Sequence, residues 1–282
     1  MFMKASWIWV AGLALVGCGS TSEPLVKAEP LVGQKPEIAM TYDFAVPVLM
    51  YHRVSELTER EERSPLMRDL TVSPADFEAQ LQFLRDEGFT FLHVTEVAEA
   101  LKLGKPLPER AVALTFDDGY KDNFDVAFPL LKKYGAKGTV FMVTNNLGRA
   151  ERLSWPNLIE MSVKAVEIQS HTVSHPDLRV IDDRRLLSEL VDSRQILERG
   201  LGKPVTSLAY PAGAFDDRVV VAVAEAGYLS AWKKGGGPVR PGDSANPLLL
   251  PRIRVHGRTD ADKFRERVMS GVYLRQMDKR DS

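Results

Sequence analysis

Two short runs carry most of the chemistry of this chain: Thr115-Phe116-Asp117-Asp118-Gly119-Tyr120 and, further along, His171-Thr172-Val173-Ser174-His175. They supply a pair of carboxylates and two histidines, the least that a hydrolytic metal site with its own general base requires. His171 and His175 fall on one face whether the chain there is helical or extended, because both periods bring i and i+4 together. Two imidazoles and a carboxylate suit zinc and similar borderline divalent metals. A histidine pair by itself serves equally well in capping or packing.

The aspartates narrow the choice. Adjacent side chains in a regular strand point to opposite faces, so Asp117 and Asp118 serve one site only where the strand ends and the chain turns, and Gly119 supplies that turn. One carboxylate with the two histidines makes a three-ligand set that leaves a coordination position for water. The other carboxylate then stands near enough to take that water's proton. An aspartate at a strand end can also cap the following helix.

The elements that must position these residues alternate in type. Residues 46–54 read as a strand. Ser73, Pro74 and Asp76 supply an N-cap, a first-turn proline and an early acid, and Phe77, Leu81 and Leu84 follow at helical spacing up to Gly88. Strands over 89–94 and 111–116 flank a helix over 95–103, and the second strand, almost wholly apolar, delivers the two aspartates at its C-terminal end. A helix running to Gly135, a buried strand over 139–143, a short helix over 155–163 and a strand over 166–169 lead to the histidines. An amphipathic helix over 182–201, strands over 206–210, 230–232 and 249–255, and helices over 217–226 and 260–269 complete the pattern. Near-continuously hydrophobic strands alternating with helices describe a parallel sheet covered on both faces. The number of such units predicts an α/β fold, a distorted (β/α) barrel of about seven parallel strands forming one catalytic domain. No glycine-rich phosphate loop is present, which argues against nucleotide binding.

Lys and Arg total 37 against 38 acidic residues, so no global field favours nucleic acid or another polyanion. Lys4 precedes an apolar run from Trp7 to Val16 that is too short to span a bilayer comfortably and sits where the h-region of a signal peptide belongs. Residues 1–17 are therefore expected to be a signal peptide. Leu15-Val16-Gly17-Cys18 resembles the bacterial lipobox, which implies acylation of Cys18 and attachment to a membrane through the lipid; a plain signal peptide with an incidental cysteine is the alternative. Residues 18–45, with Pro24, Pro30 and Pro36 among polar residues, read as an extended tether, followed by a domain over 46–275 and a polar tail over 276–282. Gly19 after the cysteine, by resemblance to the sorting rules of Gram-negative lipoproteins, implies the periplasmic face of the outer membrane. Cys18 is the only cysteine, so an exported domain has no internal disulfide and depends on packing.

Thr-Phe-Asp-Asp-Gly followed by His-Thr-x-x-His resembles the first two motifs of the polysaccharide deacetylases, carbohydrate esterase family four, and residues 46–270 follow that family's order of elements. Pro47-Val48-Leu49-Met50-Tyr51-His52 and Pro251-Arg252-Ile253-Arg254 are similar to the subgroup that acts on poly-N-acetylglucosamine. The resemblance implies that Asp117 is the catalytic base and that Asp118, His171 and His175 bind a divalent metal, Zn2+ first, with Co2+, Ni2+ or Fe2+ as alternatives. It implies removal of N-acetyl groups from an N-acetylated polysaccharide of poly-N-acetylglucosamine, chitin or peptidoglycan type. An O-acetyl esterase, or an inactive lipid-anchored glycan-binding module, is the competing reading.

The later motifs depart from the family. Ser207-Leu208-Ala209-Tyr210-Pro211-Ala212-Gly213 stands where the family has an arginine-containing segment ending Pro-Tyr-Gly; the arginine is absent and Ala212 replaces the tyrosine. The Ala212 N–H can still donate to an oxyanion, because that role needs geometry and no side chain. Arg252 or Arg254 is the candidate for the missing cation that orients Asp117. His256 stands near the family's last motif, where a histidine protonates the leaving amine, although Arg254 replaces the family's leucine. His52 either borders the cleft or is structural, and His93 reads as structural. Tyr210, Pro211, Arg252, Trp155 and Trp232 are the candidates for substrate contact, the tryptophans by stacking on sugar rings, although aromatic residues in such folds are more often core than platform.

Overall fold

The computed structural model describes residues 38–278, with side chains through Ser270. The expected signal peptide, Cys18 and most of the expected tether lie outside the described residues. In chain order the main sheet contains β1 (Val48–Tyr51), β2 (Thr90–Leu92), β3 (Ala111–Asp117), β4 (Gly138–Met142), β5 (Val166–Ser170), β6 (Ser207–Ala209), β7 (Ser230–Trp232) and β8 (Ile253–Arg254). Every pairing in it is parallel, in the order β7-β6-β5-β4-β3-β1-β8, with β2 beside the first half of β3. The row curls into a half-barrel, and Leu250, just ahead of β8, bridges to Trp232 of β7 at the opposite edge.

Burial explains why these segments are strands. All seven residues of β3 are buried, as a sheet covered on both faces demands. Val112, Leu114 and Phe116 face the helical layer, whereas Ala111 and Ala113 join Phe141, Ala209, Trp232 and Leu250 in a second cluster that fills the barrel interior. By the same alternation Thr115 and Asp117 point inward, at the C-terminal mouth. The helical layer follows its sequence signals: Ser73 caps Pro74–Asp86 by accepting from the Asp76 N–H, and Asp182 caps Asp183–Leu201 by accepting from the Arg185 N–H. No helix among the described residues is long and apolar enough to cross a membrane.

Several boundaries differ from the sequence reading. Met40–Thr41 pairs with Leu107–Pro108, and Phe44 and Ala45 are buried, so the folded unit takes in residues assigned to the tether. The strand expected over 46–54 breaks at His52, and that over 249–255 contracts to Ile253–Arg254, with bridges from Leu250 and Arg252 beside it. Two short helices, Glu59–Glu62 and Pro65–Leu70, have no counterpart in the reading, because one or two charged turns carry no readable apolar period; Thr58 and Ser64 cap them. The helix ending at Gly135 begins with a π-helical turn, Asn123–Ala127, before Phe128–Tyr134. The last helix, Ala261–Asp278, runs into the expected polar tail, which holds no proline to stop it.

Trp232, a candidate for sugar stacking or, more often in such folds, for the core, has no exposed surface and plugs the barrel interior. Trp232→Ala should therefore lower stability by about 3–5 kcal/mol in a urea titration. A loss below about 1 kcal/mol would mean that the interior closes around the vacated space.

Candidate active site

The chain turns sharply at the end of β3. Asp118 takes φ 73° and Gly119 φ 69°, and this left-handed pair swings the second carboxylate to the mouth that Asp117 already faces. Gly119 admits no side chain, since a Cβ there would lie 2.1 Å from Met142 Sδ. The histidine run is built in the same way. Its first residue leaves β5 with its N–H on the Met142 carbonyl at 3.0 Å, and Thr172 and His175 take φ 66° and 59°. Glu189, buried on the Asp183–Leu201 helix, accepts from the N–H groups of Val173 and Ser174 at 2.9 and 2.8 Å and from the Ser174 hydroxyl, so a helix side chain fixes the loop. Of the five non-glycine residues with positive φ among the described residues, four are Asp118, Thr172, His175 and Ala212. Backbone strain is thus gathered at this mouth, as it is where geometry is prescribed by function.

Asp118, His171 and His175 converge. Asp118 Oδ1 lies 3.6 Å from Nε2 of each histidine, and the three ligand atoms fall within 4.8 Å of one another. Tetrahedral ligands about 2.1 Å from a shared ion stand about 3.4 Å apart, so the set fits a divalent metal. The tautomer fits as well. His171 Nδ1 donates to the Ala209 carbonyl at 2.7 Å, which leaves the Nε2 lone pair facing Asp118. Burial pushes His171 down to about 4, against the opposing pull of Asp117 and Asp118, so it is the neutral imidazole that a metal needs.

Asp117 has a different partner. Arg252, 1% exposed, grips it in a bidentate pair, Nη1 to Oδ1 at 2.7 Å and Nη2 to Oδ2 at 2.8 Å, and also donates to Thr115 Oγ1 at 3.1 Å. The guanidinium carbon lies 5.2 Å from the centre of the Phe141 ring. Burial acts to raise the Asp117 carboxyl, but Arg252, then His171, holds it well below the usual carboxylate range. The cation missing from residues 207–213 thus reaches Asp117 from the start of β8. Two lone-pair positions of the carboxylate stay free of the guanidinium, enough to accept a proton from a neighbouring water.

The pocket at this mouth has a volume of about 260 Å³ and is lined by Asp117, Asp118, His171, His175, Arg252, Arg254, Tyr210, Ala212 and Gly213, together with groups that the sequence reading did not select: Met50, Leu66, Leu70 and Lys234. His52, left open between cleft and structure, also lines it, and burial, ahead of the upward pull of Asp117 and Asp118, lowers its pKa. Ala212 is the left-handed corner of the Pro211–Gly213 turn, which Gly213 and Ala214 close by donating to the Tyr210 and Pro211 carbonyls. Arg53, joined to Asp122 at 3.1 Å and to Glu61 at 2.6 Å, ties down the short helices that present Leu66 and Leu70. Their signal in the sequence is the capped Ser64-Pro65 start.

The remaining candidates are placed differently from one another. His256 lines a neighbouring groove with Asp69 and Arg258 and is absent from the lining of this pocket. Trp155 packs over Gly200, where a Cβ would meet its ring at 2.2 Å, so its face is taken by the Asp183–Leu201 helix. Tyr210 is buried and donates its hydroxyl to the Leu248 carbonyl at 2.9 Å, and Pro211 is buried behind the turn. His93 caps the helix Val94–Leu103 and sits far down the strands, with Nε2 3.2 Å from the Ala165 carbonyl.

The sequence model described as Polysaccharide deacetylase matches residues 104–231, a stretch that holds the aspartate pair, both histidines and the 210–213 turn but stops short of Arg252. The structure is similar to that of the deacetylase PplD of Streptococcus pyogenes, solved in complex with acetate, with TM-score 0.75 and 31% identity over 80% of this chain and 99% of that one. It is also similar to a polysaccharide deacetylase from Bacillus cereus, with TM-score 0.71 and 32% identity over 81% of this chain and 70% of that one. In sequence it is 26% identical to the poly-beta-1,6-N-acetyl-D-glucosamine N-deacetylase of Staphylococcus aureus, over 73% of this chain and 77% of that protein. The chain belongs to the polysaccharide deacetylase family.

Replacing Arg252 by Leu leaves Asp117 buried without its counter-charge and should cost about 3–5 kcal/mol of stability in chemical denaturation. A change below about 1 kcal/mol would mean that Asp117 does not depend on that partner.

Proposed function

We propose that the protein is a metal-dependent hydrolase that removes acetyl groups from the amide nitrogens of an N-acetylglucosamine-containing polysaccharide. The observation that carries this reading is the division of labour between neighbouring aspartates: Asp118 joins two imidazoles in a ligand set, while Asp117 is held apart by Arg252. A divalent cation on Asp118, His171 and His175, zinc being the best match for these donors, supplies Lewis-acid polarisation of the acetamide carbonyl and a water of lowered pKa. Asp117, its carboxylate aimed by Arg252, takes the proton from the attacking water. The Ala212 N–H, at the corner of its turn, donates to the oxygen on which negative charge develops.

The amide nitrogen needs a proton as the C–N bond breaks. His52 is the pocket histidine that stands outside the ligand set, and its position in the lining supports giving it this role in place of His256. Acetate and a glucosamine unit are the products. The named activity of the Staphylococcus aureus relative supports an N-acetyl substrate over an O-acetyl ester. The lipobox-like residues 15–18 support, within the same reading, a lipid-anchored protein of the cell envelope.

Acetate release from N-acetylglucosamine oligomers should stop on chelation and return when Zn2+ is added back. Asp117→Asn should lower kcat by about a thousandfold or more while zinc stays bound by elemental analysis, whereas Asp118→Ala should lose the metal. Retention of near-normal turnover by Asp117→Asn would remove it as the base. His52→Ala should lower kcat by about a hundredfold with little effect on KM. A larger loss from His256→Ala than from His52→Ala would return the acid role to His256. Radiolabelled palmitate should enter the wild-type protein in bacterial cells but not Cys18→Ser; equal labelling would rule out that anchor.

A further inference from the structure

The three aromatic side chains considered for contact with a sugar are all engaged within the fold. Trp232 fills the barrel interior, Trp155 lies on the Asp183–Leu201 helix, and Tyr210 is buried with its hydroxyl on the Leu248 carbonyl. The pocket that holds the ligand set is nevertheless lined by apolar groups of another kind, Met50, Leu66 and Leu70. Met50 belongs to β1 and is buried, and Leu70 is half-buried. Leu66 is 60% exposed, and among the described residues it is the one large, exposed apolar side chain that lines this pocket.

Leu66 and Leu70 stand four apart on the Pro65–Leu70 helix and so share a face. The remainder of the segment holds that face in place. The Ser64 hydroxyl accepts from the Met67 N–H at 3.3 Å, Met67 Sδ accepts from Arg53 Nη1 at 3.5 Å, and Asp69 pairs with Arg254 and Arg258. Backbone past β8 packs directly on the end of the helix, since a Cβ at Gly257 would run into the Arg68 and Thr71 carbonyls. The helix buries none of its own side chains. A turn kept for packing alone would put its leucines inside. This one is fastened through polar groups and leaves its leucines on the pocket.

We infer, building on the deacetylase reading above, that Leu66 and Leu70 form an aliphatic ledge on which the pyranose ring of the N-acetylated unit lies, in the role that an aromatic platform would otherwise fill. A pyranose with equatorial substituents presents C–H bonds on its faces and hydroxyls around its rim, so an apolar wall covers a face while polar groups take the rim. Lys234, just past β7 and in the same lining, is a donor for that rim. The ring keeps its shape while the amide on it is cleaved, so the ledge is touched alike in the ground state and the transition state. Loss of that contact therefore falls on KM and spares kcat.

The test uses the zinc-loaded protein and an N-acetylglucosamine oligomer. Leu66→Asn should raise KM for acetate release by about five- to tenfold, with kcat within about twofold of wild type and the urea midpoint of unfolding unchanged. Leu187→Asn, which alters an exposed leucine of the Asp183–Leu201 helix outside the pocket lining, should leave KM as it was. Leu66→Trp should lower KM. Placed in the Asp117→Asn background, which binds without turnover, Leu66→Trp should also give a blue shift of tryptophan emission on addition of the oligomer that Asp117→Asn alone lacks. An unchanged KM in Leu66→Asn, or no emission change from Leu66→Trp, overturns the ledge and leaves the deacetylase reading standing. A rise in KM that comes only with a lower unfolding midpoint assigns Leu66 a structural role and overturns the ledge as well. Oligomer binding that Leu66→Asn weakens in calorimetry, with no acetate released even by the wild type, overturns the deacetylase reading and keeps the ledge. Neither binding nor release overturns both.

Discussion

A carboxylate and a guanidinium, each almost wholly withdrawn from water, meet at the mouth of this barrel, and the surrounding structure is arranged to make that meeting possible. Either ion alone would cost several kcal/mol to bury. Paired through two short hydrogen bonds, with Thr115 and the Phe141 ring completing the shell of Arg252, they hold each other charged and immobile. Asp117 is thereby kept ionised beside Asp118, His171 and His175. The arrangement also accounts for the absent arginine in residues 207–213: the same electrostatic task is performed by a cation from another strand.

Fixing the neighbouring residues requires unusual backbone. Asp118, Thr172, His175 and Ala212 all adopt left-handed φ, a conformation that costs a non-glycine residue about 1–2 kcal/mol. The compensating contacts are visible. Glu189 ties the histidine loop to a long helix, Met142 meets Gly119 through its sulfur and His171 through its carbonyl, and the Ala209 carbonyl orients the imidazole. Two strands and one helix over-determine a loop that would not adopt this shape by itself.

How much of this was legible in the sequence depends on whether the signal was local. The alternation of strands and helices followed from apolar runs and capped helices, and the aspartates and histidines stood out because together their types and spacing suit a metal site. The turn at Asp118 was only half legible: Gly119 announced a bend, but nothing marked an aspartate as its first left-handed residue. Arg252 and Arg254 could both be named as candidates to orient Asp117, but the choice between them could not be made, because the contact joins residues that only the folded sheet brings together. The placement of His256 along a neighbouring groove and of Trp232 in the interior was not legible for the same reason. A position in a motif order, or an aromatic near a strand end, does not say whether the side chain faces the pocket, a neighbouring groove or the interior. Glu189 gave no sign beyond being an acid on the buried face of an amphipathic helix.

The two members of the central ion pair lie 135 residues apart, and β8, which delivers the arginine, is the last strand of the sheet, docking on β1, the first. Loops of that length close late, since ordering so much chain precedes the reward of the contact. Competence is therefore coupled to completion: a nascent or clipped chain missing its final strand has no counter-ion for its aspartate and no wall on that side of the cleft. The finished pocket thus exists only where the two ends of the sheet have met.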